Sequence, residues 1–110
     1  MQANGIYNKE IASDTATVVD VGGARRVVIT SASGSGIIYF DFSGKTISDT
    51  AMAAQLNAKV TADAATTTAA VLRAGGSIEL GSSNYPTFNK LAFTCLDGAS
   101  VSGNVDVTWY

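Results

Sequence analysis

The chain has 110 residues, 46% of them hydrophobic and only 15% charged, with a formal net charge of −2 and no histidine. One domain is expected at this length, and the charged fraction falls well below the usual value of about 25%. A slightly acidic chain with a single basic pair, Arg25-Arg26, lacks the patch that neutralises phosphates, so nucleic acid is not expected as a partner. No stretch approaches the roughly 20 apolar residues of a membrane-spanning helix, so no membrane partner is expected either.

Residues 1–14 carry little periodicity. Ile6, Tyr7 and Ile11 are apolar points in polar sequence, which reads as an arm that is either loose or laid against a neighbour. From Thr15 the pattern changes. Thr15 to Val21 is rich in β-branched residues and stops at Gly22-Gly23, a turn signal. Arg25 to Ala32 follows, with Val27 and Ile29 on one face and Val28 and Thr30 on the other. Ser33 to Gly36 reads as a tight connection. Ile37 to Phe42 is a third strand, with Ile38, Phe40 and Phe42 opposite Tyr39 and Asp41. Those two strands and their short loop are expected to form a hairpin.

In the middle, Ser48 or Asp49 can cap a short helix from about Thr50 to Val60. Met52, Leu56 and Val60 fall on one helical stripe; an irregular loop or an edge strand is the alternative. Residues 61–70 are mostly Thr and Ala and read as extended. Ala69 to Arg73, Ser77 to Leu80, Phe88 to Leu96 and Gly103 to Tyr110 complete the strands. Leu91, Phe93 and Cys95 share a face of the third of these. Val105, Val107 and Trp109 alternate with Asn104, Asp106 and Thr108 in the last. This succession predicts an all-β fold, a small β-sandwich or jelly-roll-like domain over residues 15–110 with a short helix in its middle.

Chemistry is hard to place. Without histidine the commonest general base and metal ligand are missing. Cys95 alone forms neither an intrachain disulfide nor a zinc site, and it reads as a small core residue. No carboxylate spacing favours a glycosidase pair or a calcium loop. The expectation is therefore no enzyme and no cofactor or metal. Candidate contact residues are Ile6, Tyr7 and Ile11 of the arm, and Arg25 and Arg26 beside the Gly-Gly turn. Tyr85, Phe88 and Tyr110 are either exposed aromatics or lids on the core.

Val18 to Val21, then Arg25-Arg26-Val27-Val28-Ile29-Thr30, then Ile37-Ile38-Tyr39-Phe40 resemble a class of small bacteriophage virion proteins. Gly75 to Leu80 and the closing Val105-Asp106-Val107-Thr108 continue the likeness. The Ala-rich stretch from Thr50 to Thr68 departs from it. The resemblance implies a β-sandwich or jelly-roll subunit working as a homo-oligomer without enzyme activity. It points to a capsid decoration (cement) protein on the outside of the head, a trimer being favoured. Its partners would be the major capsid protein or other virion proteins. Made in the host cytoplasm without a signal peptide, it would reside in the virion. The alternatives are a neck, tail or fibre-base component of the virion, and a carbohydrate-binding module using exposed aromatics.

Overall fold

The computed structural model describes residues 5–11, 16–31, 37–61, 65–73, 75–81, 87–95 and 103–110. They form strands β1 (Gly5–Ile11), β2 (Thr17–Ala24), β3 (Val27–Ser31) and β4 (Ile38–Ser43), then helix α1 (Asp49–Asn57). Strands β5 (Ala70–Leu72), β6 (Ser77–Leu80), β7 (Phe88–Cys95) and β8 (Gly103–Trp109) follow. Two four-stranded antiparallel sheets result, ordered β1-β8-β3-β6 and β2-β7-β4-β5. β1 pairs with β8, β2 with β7, β3 with β6 and β4 with β5. That is a long two-stranded ribbon rolled on itself, closed by the β3–β8 and β4–β7 ladders. The strand order is that of a jelly roll, so the expected all-β sandwich with one central helix is what the chain forms.

Two sequence expectations are corrected by this topology. β3 and β4 do not form a hairpin; they lie in different sheets. A Ser/Gly-rich connection announces a change of direction, but a rolled ribbon uses that change to cross between layers. Nor is residues 5–11 a free arm: Gly5 to Ile11 is an edge strand in full register with β8, Gly5 opposite Trp109 and Ile11 opposite Gly103. Its sparse apolar pattern hid a strand that has a partner on one side only. Gly5 leaves room there for the Trp109 ring, which a Cβ at this position would run into.

The core lies between the sheets. Val27, Ile29, Phe40, Leu91, Phe93, Val105 and Val107 are buried together there, each from the inward face of its strand. Phe42 meets Phe88 edge-on with ring centroids 5.5 Å apart, a favoured aromatic geometry. A second, smaller cluster forms where α1 covers the outer face of β2-β7-β4-β5. Met52 and Leu56, fully buried, pack there with Tyr39, Ala92 and Ala69, with Val60 alongside. The Ser48 hydroxyl accepts the Ala51 amide at 3.1 Å and so caps the helix, as its sequence position indicates. Asn89 accepts the Ile47 amide and Lys90 pairs with Asp49, fastening the helix start to β7. The β2 end bulges between Asp20 and Ala24, where Gly22 and Gly23 take φ of +48° and +87°, a region open to glycine.

Candidate functional site

Three of the eight residues singled out from the sequence, Arg25, Arg26 and Tyr110, meet at one rim. The Arg25 amide donates to the Tyr110 carbonyl at 2.8 Å, and the Tyr110 amide to the Arg26 carbonyl at 3.0 Å. These bonds carry the β3–β8 pairing past the strand ends. The Arg26 guanidinium lies 4.9 Å from the Tyr110 ring centroid and pairs with Glu79 of β6 at 2.7 Å. Both partners are about half exposed, so the pair is worth little in stability, on the order of 0–1 kcal/mol. Its effect is geometric: a guanidinium stacked on an aromatic face and forked to a carboxylate is held in one orientation. The Arg25 side chain beside it is exposed and has no ion-pair partner among the described residues.

From that rim extends the outer face of sheet β1-β8-β3-β6. Asn104, Asp106, Ser77 and Glu79 are exposed on it, and Val28, Thr30 and Thr108 half-buried. Thr30 sits opposite Ser77 on one side and Asp106 on the other, and the Thr30 and Ser77 hydroxyls are 3.2 Å apart. Short hydroxyl, amide and carboxylate side chains on neighbouring strands make this a low-relief polar face. The residues themselves were legible as the polar half of an alternating pattern. What periodicity does not tell is that α1 covers the other sheet and leaves this one open.

The remaining candidates disperse. Ile11 is fully buried in the core, where its carbonyl accepts the Cys95 thiol at 3.3 Å; it is no contact residue, being the inner anchor of β1. Ile6 and Tyr7 stand opposite Thr108 and Val107 in the ladder. Phe88 is 2% exposed and belongs to the core. Tyr85 lies outside the described residues. Cys95 is buried as expected, and burial pushes its thiol pKa up against a hydrogen bond from the Gly103 backbone, which keeps it protonated and unreactive.

A third arrangement was not visible in the sequence. Asp41 of β4 accepts hydrogen bonds from Lys59 at 2.8 Å, Gln55 at 2.9 Å and the Phe42 amide at 2.9 Å. Burial acts to raise the Asp41 pKa, but the bonds from Lys59, Gln55 and the amide outweigh it and hold the carboxyl below its ordinary value. Separations of 14 and 18 residues match no local motif, so only the packing of α1 on β4 brings these groups together.

Among the described residues no three His, Cys, Asp or Glu side chains gather as metal ligands, and no helix is long and apolar enough to cross a membrane. No protein-family model and no curated protein matches the chain. Two solved structures share its fold, both of hydroxypropylphosphonic acid epoxidase from S. wedmorenis, one of them in complex with fosfomycin. Each is 15% identical, with a TM-score of 0.52 over 96% of this chain. The chain spans 42% of the length of that protein. At this identity the likeness establishes the architecture alone. It does correct one expectation: reading the chain as no enzyme, on the missing histidine, does not stand against a fold that an epoxidase also uses.

Proposed function

We propose that the chain is a structural subunit of a bacteriophage particle, best read as a decoration protein that binds the outer surface of the head as a homo-oligomer. The observation that carries this reading is the rolled β1-β8-β3-β6 and β2-β7-β4-β5 order, an architecture that serves viral capsid and lectin domains, joined to a packed apolar interior. With Phe40, Phe93, Ile29, Leu91 and Val107 filling the space between the sheets, recognition falls to the outside. The described part of the open sheet face offers the short polar side chains of Thr30, Ser77, Asn104 and Thr108 for contact, with the carboxylates of Asp106 and Glu79 among them. The fixed Arg26–Tyr110 pair and the neighbouring Arg25 add a cationic edge suited to an acidic rim on the shell. Many such weak contacts repeated over a lattice give avidity without a deep pocket.

Counting copies tests this. Mass spectrometry of purified virions should find the chain at a fixed ratio near one per major capsid subunit, or one per three. A dozen or fewer copies per particle would assign it to the neck, tail or fibre base instead. Its absence from virions would end the reading.

A further inference from the structure

We infer that Asp41, Gln55 and Lys59 form an acid-sensitive guard over the open half of the β4 edge. The β4–β5 ladder runs Ile38 opposite Leu72, Tyr39 opposite Val71 and Phe40 opposite Ala70, then stops. Two steps on, the same register would set Phe42 against Thr68. Thr68 has turned away, its amide donating to the Lys59 carbonyl at 2.8 Å. Just past the point where the ladder stops, the Phe42 backbone bonds to side chains. Its amide donates to Asp41 Oδ1 at 2.9 Å, and its carbonyl accepts Gln55 Nε2 at 3.3 Å. The same Gln55 amide and Lys59 Nζ both donate to Asp41 Oδ2. One carboxylate therefore holds the β4 edge closed and the last turn of α1 in place. Uncovered sheet edges are templates for pairing with other chains, and this cluster substitutes for the absent rungs.

The charged surroundings make Asp41 the group that acid acts on. α1 carries Asp49, which pairs with Lys90 of β7; β2 contributes Asp20, opposite Lys90; β5 carries no charge. Among the described residues Lys59 is the only ionic partner of Asp41, and the Asp41 side chain is 13% exposed. Because its folded pKa is depressed, the bonds it accepts are intact above the ordinary aspartate value and are lost as pH falls through the folded one. Protonation removes the charge that attracts Lys59 and turns one acceptor oxygen into a donor.

Hydrogen exchange measured by NMR tests the guard, independently of any virion role. As the wild type goes from about pH 6 to about pH 3, protection at Phe42 and Leu56 should fall by about tenfold relative to Phe93 and Val107, the effect of one lost charge-assisted bond. Asp41→Asn should show reduced protection at those two amides already at neutral pH, and no further acid step. Gln55→Ala should loosen the same amides without abolishing the pH dependence. A uniform loss across all four amides, or an unchanged acid step in Asp41→Asn, overturns the inference. Should Asp41→Asn fail to fold, the carboxyl resonance of Asp41 in the wild type decides: an acid step at Phe42 and Leu56 whose midpoint differs from that of the Asp41 carboxyl would equally overturn it.

Discussion

The two sheets carry the same number of strands but live in different surroundings. β7, at the centre of β2-β7-β4-β5, is buried from Leu91 through Cys95 without a break, because the core lies on one side and α1 on the other. β8, at the centre of β1-β8-β3-β6, alternates buried Gly103, Val105 and Val107 with exposed Asn104 and Asp106. A continuous apolar run marks a strand covered on both faces, and clean alternation marks one that keeps a face in water. On the proposed function, the helix-covered sheet is the structural base of the molecule and the other presents the contact surface.

Substitutions that respect or violate that division should scale accordingly. Phe93→Ala, emptying the space between the sheets, should cost about 3–5 kcal/mol in urea unfolding. Ala92→Leu adds bulk on the opposite face of the same strand, under α1, and should cost about 1–3 kcal/mol by overpacking. Were β7 open on that side, the same change would be close to neutral. Ser48→Ala removes the cap of α1 and should cost about 1 kcal/mol, with helical dichroism falling while the sheet signal holds. Ser77→Ala on the open face should stay within about 0.5 kcal/mol, although Thr30 loses a hydroxyl neighbour.

Much of this was written in local pattern. β3, β4, β7 and β8 follow from residues that alternate or run together, and α1 from Ser48 and the Met52–Leu56–Val60 stripe. The layer to which each strand belongs was not. Gly and Ser between Ala32 and Ile37 signal a reversal equally for a hairpin and for a crossing between sheets, and only the pairing of β3 with β8 and β4 with β7 decides. β1 escaped notice because its apolar residues are sparse in sequence, although Ile11 at its end is fully buried in the core. Arg25-Arg26 and Tyr110 were picked out for different reasons, one as a basic pair and one as an aromatic, and the β3–β8 pairing brings them together at one rim. The Asp41 cluster was invisible because its members meet only when α1 folds back over β4.

On the proposed function, the open sheet face, and not the helix-covered one, meets the partner surface. Co-sedimentation of the purified chain with phage heads stripped of it, comparing Asn104→Arg and Ser77→Arg with Ala54→Arg on the exposed side of α1, tests this most directly. The two open-face variants should lose binding by about tenfold or more each, the scale of a charge forced into a close-packed contact, while Ala54→Arg binds like the wild type. Equal binding by all three, or loss confined to Ala54→Arg, would contradict the assignment.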